Sequence, residues 1–484
     1  MTIRNTKNSL NLSSIPFYAL MLVTLVCSTL QVEAQDEVQF ELDFQWQDTT
    51  LVASSAHLNT YNEVWGFVQD GIEYAVMGST FGTHIFDLSS PSTEPIHNIA
   101  GAHMGAGVVH RDYHDYQGHL YAVCDEGASI STLQIFDLSY LPDSVAVVYD
   151  SKDLFTTTHN IFIDTSSARL YASGGLTSDF LGFGVLVFDI TEPANPQLIY
   201  EWNDFYVHDL YVRNDTAYMN IEQNGLMITD FSNIDSVQNL GRLETYTSFG
   251  QGYNHSGWLT DDGKRYVMAD ENWGLKMKMV NVENNDDLFV ESAFGVETDD
   301  GLDIPHNQMI IGDYLYASYY THGTQIYNIS NPDSIYNAGS FQTSSEIPGE
   351  YYRGNWGVYC YLPSNKILLS DMQEGLFVLN ATYPDTTTFV DTTLLGTTML
   401  NSAANEVFVY PNPVIDKFEL SWDGQSAPVE IHLLDVNGRI LKQWNNQLGA
   451  QKRQLEIPAD LSSGIYFLAF TIEGKKKMHQ LFVE

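Results

Sequence analysis

Cysteine is scarce: the 484-residue chain has three, at positions 27, 124 and 360. That excludes a small disulfide-stapled scaffold. Cys124 and Cys360 fall in non-adjacent copies of a repeat, so both are expected as buried free thiols. Basic residues are also few, 21 against 61 acidic ones. The deficit is concentrated in residues 35–406, which hold 11 basic and 51 acidic residues. A surface this negative argues against nucleic acid and anionic membranes as partners. It suits a well-solvated exported protein, or one that collects cations. Long apolar runs are missing, and the stretch from Phe17 to Leu30 is too short and too interrupted for a mature membrane span. There is no local Ser-His-Asp signature, phosphate loop or His-Glu-x-x-His sequence. What the chain does have is 44 % hydrophobic and 13 % aromatic residues, enough for a large core and more than one domain.

Those residues recur in a pattern. The segment His306–Pro332 contains a short apolar strand after His306-Asn307, a tight turn at Gly312-Asp313, and a second strand over Tyr314–Tyr319. A third strand, Gln325–Ile329, ends in a polar turn. Runs rich in β-branched and aromatic residues, punctuated by Gly, Asp and Pro, predict strands. The same plan can be traced seven times, and its turn residues Asp87, Asp137, Asp189, Asp230, Asn281 and Asn328 are 50, 52, 41, 51 and 47 residues apart. A strand-only period of this length predicts propeller blades. One small sheet cannot recover the entropy of ordering its own residues, so each must bury both faces against neighbours. The expected fold is all-β, a seven-bladed β-propeller over residues 35–380. Val38–Trp46 is expected to complete the last blade by pairing beside Gly375–Asn380, which removes an exposed edge.

Composition marks three further segments. Residues 1–34 carry Arg4 and Lys7, then the apolar run, then Val32-Glu33-Ala34, the plan of a secretory signal peptide. Residues 381–406 are Thr-rich and read as a linker. Residues 407–484 show six short alternating runs with turn residues such as Asn437-Gly438 between them, which predicts a small immunoglobulin-like β-sandwich.

In each repeat the start of the first strand and the end of the second lie on one face of the ring. The first position supplies Arg111, Asp112, His159, His208, Asp209, His255 and His306; the second supplies Glu126, Glu222, Asp270, Glu271 and Asp371. If the ring closes, they converge on one mouth of its channel. Two readings follow. The polar pairs can hydrogen-bond neighbouring blades and hold the ring in register. Alternatively the cluster binds a ligand or a divalent metal, calcium or zinc, since imidazole suits Zn, Cu or Ni and carboxylate suits Ca or Mn. The same groups could do general acid–base work as a metal-dependent hydrolase or lyase.

Two resemblances sharpen the picture. Tyr410-Pro411-Asn412-Pro413, then Asp435, Gly438 and Arg439 within Leu434–Arg439, then Gly464 and Tyr466 within Leu461–Phe467, resemble the type A C-terminal sorting domain of the type IX secretion system. That implies the secretion machinery as partner, export across the outer membrane of a Gram-negative bacterium, and either release or attachment to surface lipopolysaccharide after the tail is cleaved. The repeat region, through Val64-Trp65-Gly66, Arg111-Asp112, His159-Asn160-Ile161, His255–Leu259 and Glu374–Leu379, resembles the choice-of-anchor B proteins with LVIVD-type repeats. That resemblance implies a propeller on a variable surface anchor and no set reaction. The expected role is a secreted or cell-surface binding or adhesion module for a glycan or protein.

Overall fold

The computed structural model describes residues 38–298, 301–349 and 351–383, together with the strands of 407–484 and some residues flanking them. The expected signal peptide, and the expected linker beyond Tyr383, lie outside the described residues. Six consecutive groups of four strands form six four-stranded antiparallel sheets, spanning residues 61–100, 111–151, 155–202, 210–243, 254–294 and 308–341. A seventh is built from Asn355–Tyr359, Lys366–Asp371 and Gly375–Thr382, with Gln39–Trp46 as its outer strand. Glu41 pairs with Asn380 and Trp46 with Leu376, so the segment lies beside the strand from Gly375 as anticipated. That third strand runs on to Thr382, so the sheet takes two residues from the expected linker.

The turn residues explain the repeat's spacing. After the third strand of each sheet from the first to the sixth, an Asp or Asn side-chain oxygen accepts the backbone N–H two residues on. Asp87 takes Ser89 at 2.8 Å and Asp189 takes Thr191 at 2.8 Å, and Asn281 does the same for Glu283 at 3.1 Å. These turns fix where each strand stops. The fifth copy, which lacks the Asp, is therefore complete: Asn281 does its work.

Packing ties each sheet to the next. Phe67, Tyr74 and Ile85 of the first sheet share a core with Tyr113, Leu120 and Phe136 of the second. Tyr121 and Val123 of the second meet Ile161, Leu170 and Phe188 of the third. The series continues, and its last cluster joins Met309 and Tyr316 of the sixth sheet, Leu368 and Phe377 of the seventh, and Tyr61 and Val64 of the first. The inner strand of the first sheet, Tyr61–Gln69, also packs directly on Asn355–Tyr359 of the seventh. Cys124 and Cys360 are buried free thiols, as the repeat pattern required.

In the C-terminal segment, Val407–Tyr410, Lys417–Trp422 and Lys452–Glu456 form one sheet, and Ile440–Trp444, Val429–Leu434, Gly464–Ile472 and Lys475–Val483 form another. Phe418, Leu420, Ile431, Leu433, Leu468 and Leu481 make their common core.

Candidate functional site: a histidine-rimmed pocket

Three layers of side chains, one above another, are contributed by the inner strands. The upper layer is aromatic and polar at once. His110, His159, His208, His255, His306 and Trp356, one from each of the second to seventh repeats, within or just before its inner strand, touch in sequence and return to the start. Their ring centroids are separated by 5.1, 3.9, 4.4, 4.5, 4.4 and, from Trp356 back to His110, 5.2 Å. Two of these rings sit in β-bulges. The pairing of the fifth sheet slips between Asn254 and Ser256, and that of the seventh between Asn355 and Gly357. His255 and Trp356 are the extra residues, and a bulge re-aims the side chain it carries.

The middle layer keeps the register. Asp112 accepts from Asn160 Nδ2 at 3.0 Å and from the Ile161 N–H at 2.7 Å, and Asn160 in turn accepts the Leu210 N–H at 3.2 Å. Glu63 reaches past the seventh sheet to accept from Asn307 Nδ2 at 2.9 Å. It can do so because Gly357 has no side chain: a Cβ there would lie 2.2 Å from Glu63 Oε1. Gly357→Ala is therefore expected to displace Glu63 and destabilise the protein by about 1–3 kcal/mol, read from chemical denaturation. An unchanged midpoint would mean Glu63 has room to move aside.

The lower layer is a floor. Trp65, His114, Phe162, Tyr211, Trp258, Tyr361 and Tyr359 touch in tilted and edge-on pairs around a second loop, with centroids 4.4 to 5.9 Å apart. Burial holds His114 down at about 4, so the floor is uncharged at neutral pH. Above it lies a cavity of about 80 Å³, and above the histidines a wider mouth of about 340 Å³ lined also by Tyr253, Tyr320 and Tyr352. The mouth is at the small end of ligand pockets, which run from about 300 to 1,000 Å³.

Acids surround the imidazoles. Asp125 accepts from His159 Nδ1 at 2.9 Å, and Asp209 lies 3.6 Å from His159 Nε2 and 3.7 Å from His255 Nδ1. Glu271 accepts the Tyr320 hydroxyl at 2.5 Å and sits 4.0 Å from both His255 Nε2 and His306 Nε2. Glu222 accepts the Tyr253 hydroxyl at 3.1 Å, whose oxygen is 2.8 Å from His208 Nδ1. Glu126 binds His110 Nδ1 and the backbone N–H groups of Val109 and His110. Burial raises Asp112 to about 6 and both Asp209 and Glu271 to about 7. Burial also drives His306 down to about 3 and His208 and His255 well below their ordinary value. His159 goes the other way: burial opposes its charge, but the hydrogen bond and charge of Asp125 lift it to about 9.

Of the sequence-derived set, the pocket gathers Asp112, Glu126, His159, His208, Asp209, Glu222, His255, Glu271 and His306. The side chains of three residues turn elsewhere, although Arg111 still borders the lower cavity. Arg111 pairs in regular register with Cys124 and turns to the first sheet, donating to the carbonyls of Ser79 at 2.7 Å and His103 at 2.6 Å. Asp270 precedes Glu271, and strand alternation sends it inward to Lys278 at 2.5 Å. Asp371 closes its own turn by accepting the Gln373 and Glu374 N–H groups at 2.9 and 3.0 Å. Asp125, beside Glu126 at the end of its second strand, joins them, and residues that the strand pattern passed over, Glu63, His110, Tyr253 and Tyr320, complete the site. In the tail, Gly464 and Tyr466 open a core strand with Tyr466 buried. Pro411, Asn412, Pro413, Asp435, Gly438 and Arg439 lie outside the described residues.

The repeated four-stranded sheets make this an all-β chain with a one-ended polar pocket. Its residues 408–484 match the family described as the secretion system C-terminal sorting domain, and this type IX tail marks the chain for export across the outer membrane. No curated protein matches the sequence. Solved structures that resemble the fold include the RRP9 WD40 repeats, at 8 % identity and a TM-score of 0.48, covering 72 % of this chain and 98 % of that one. The Cps50 (Swd1) β-propeller domain of Myceliophteria thermophila scores 0.46 at 11 % identity, covering 72 % of this chain and 100 % of that one. The computationally designed Ika8 protein scores 0.44 at 9 % identity, covering 68 % and 99 %.

Proposed function

We propose that the chain is an exported binding module, a closed seven-bladed β-propeller over residues 35–380 whose ligand seat is the histidine-rimmed mouth. A signal peptide over residues 1–34 takes it to the periplasm. The immunoglobulin-like tail then takes it through the outer membrane, to be released or held at the surface. The repeat motifs that resemble choice-of-anchor B proteins agree with a common body on a surface anchor. The observation that carries the reading is the layering: an uncharged aromatic floor closes one end, so the polar mouth is a seat rather than a passage.

The test is binding of the secreted full chain to arrays of surface glycans and proteins. A hit that disappears when the mouth is obstructed by Gln223→Trp, at an exposed mouth residue, supports the proposal. Absence of any ligand beside turnover of a substrate would favour the second reading, a metal-dependent hydrolase or lyase. The specific feature behind that second reading is Glu271, raised to about 7 and 4.0 Å from two imidazoles, the placement a general acid–base group needs.

Removing residues 408–484 is expected to abolish appearance of the protein in the medium while leaving it detectable within the cell envelope, by immunoblot of fractions. Unchanged export would show that the tail does not direct it.

A further inference from the structure

We infer that His159, His208 and His255 form a binding site for a single divalent transition-metal ion of the zinc class. One ring nitrogen from each can be chosen so that all three lie within 4.8 Å of one another. Zinc–imidazole bonds of about 2.0–2.1 Å place tetrahedral ligands roughly 3.3 Å apart, so metal binding draws the three nitrogens together by at most about 1.5 Å.

The hydrogen bonds around the rings fix which nitrogens are free. The Tyr253 hydroxyl donates to Glu222 at 3.1 Å, so its oxygen can only accept at 2.8 Å from His208 Nδ1. The proton of His208 is thereby held on Nδ1 and the lone pair left on Nε2, which is buried and has no partner. His159 gives Nδ1–H to Asp125 at 2.9 Å and turns Nε2 towards Asp209, and a metal there displaces the Nε2 proton of the charged ring. His255 Nδ1 is likewise buried without a hydrogen-bond partner. Imidazoles serving only to hold sheets in register would have both nitrogens engaged. Here the register is kept one layer down, by Asp112 and Asn160, and the rings above keep nitrogens open. A carboxylate or tyrosine behind a metal-binding imidazole is the usual outer support of such a site.

The donor set also selects the ion. Calcium takes about 6–8 oxygen ligands, whereas three imidazoles with one adjacent carboxylate, Asp209, suit Zn, Ni or Cu. Two other triads, His110/Asp125/His159 and His255/Glu271/His306, share His159 and His255 with this one. One ion at the central triad therefore excludes ions at both flanks.

The inference rests on reading the mouth as a binding seat, and its test is separable from that reading. The full secreted chain is stripped with chelator and titrated calorimetrically with Zn²⁺, with Ca²⁺ as control, and with Co²⁺ for visible ligand-field bands. One zinc per chain is expected, with tetrahedral cobalt bands and no calcium heat. His208→Ala and the more conservative His208→Gln, each checked for native circular dichroism, should weaken zinc by about 100-fold or more. Tyr253→Phe, which releases the His208 proton, should weaken it about 10-fold. No zinc uptake by the wild-type chain overturns the proposal. So does uptake of two ions that ignores a folded His208 variant. A chain that takes up no zinc yet binds its array ligand leaves the seat standing and the metal refuted.

Discussion

Lys278→Met is expected to lower the unfolding free energy by about 3–5 kcal/mol, the cost of leaving a buried charge without its partner. The Lys278 ammonium and the Asp270 carboxylate are both fully buried and 2.5 Å apart. The second Asp270 oxygen accepts the Tyr246 hydroxyl at 2.8 Å, and the Tyr246 ring lies 5.9 Å from the ammonium. Burial pushes Asp270 up and Lys278 down, and each charge is kept only because it opposes the other. With methionine in place, only the Tyr246 hydroxyl and the Gly252 backbone N–H face the carboxylate. Asp270 must then take up a proton or be exposed by unfolding. The single variant should consequently be least stable at high pH and recover as acid neutralises Asp270. The double variant Asp270→Asn, Lys278→Met should regain most of the loss, because an amide keeps the Tyr246 hydrogen bond without a charge. Urea denaturation of the three proteins decides the matter. Equal destabilisation of single and double variants would show that the pair is not coupled.

The same pair shows where sequence reasoning stops. That a carboxylate closes the second strand was legible, because strand length and turn chemistry locate strand ends. Which of two adjacent acids faces the mouth was not: Asp270 and Glu271 differ by one residue, and a one-residue step on a strand reverses the face. The four histidines were legible for the same reason that the strands were, since each stands shortly before an apolar run, although His159 lies inside the strand Phe155–Asp164. The bulges that carry His255 and Trp356 into the upper layer leave no mark in a pattern of apolar and polar residues. The aromatic floor is written in the sequence two positions after the middle layer, as His114, Phe162, Tyr211 and Trp258. Such residues read as ordinary core until the sheets are brought together. Trp65, at a strand start by its pattern, proves to belong to that floor and not to the mouth. Arg111, the one cation among the strand starts, borders the lower cavity, but its guanidinium is held away from it by the carbonyls of Ser79 and His103.

Glu63→Gln is expected to remove a loss of stability that the wild-type chain suffers as pH rises. Burial, with the charge of Asp112 adding to it, raises Glu63 from 4.5 to about 8. The folded chain therefore holds a proton on Glu63 across a range in which the unfolded chain has released it. Stability contributed by this group is fully present below pH 4.5 and declines until about pH 8, where the folded carboxyl also ionises. The slope is at most about 1.4 kcal/mol for each pH unit. Asp112, Asp209 and Glu271, raised to about 6, 7 and 7, add declines of the same sign over narrower windows. The variant isolates one contribution from that sum. Glutamine keeps the length needed to pass over Gly357 and cannot ionise. Asn307 Oδ1 is buried and unpaired, so a half-turn of its amide lets it accept from either the protonated acid or the glutamine. The difference in unfolding free energy between variant and wild type should therefore grow in the variant's favour between about pH 5 and pH 8. Parallel pH profiles would mean that Glu63 is ionised in the folded chain, and that the middle layer holds its charge by contacts other than those to Asn307 and the Val64 N–H.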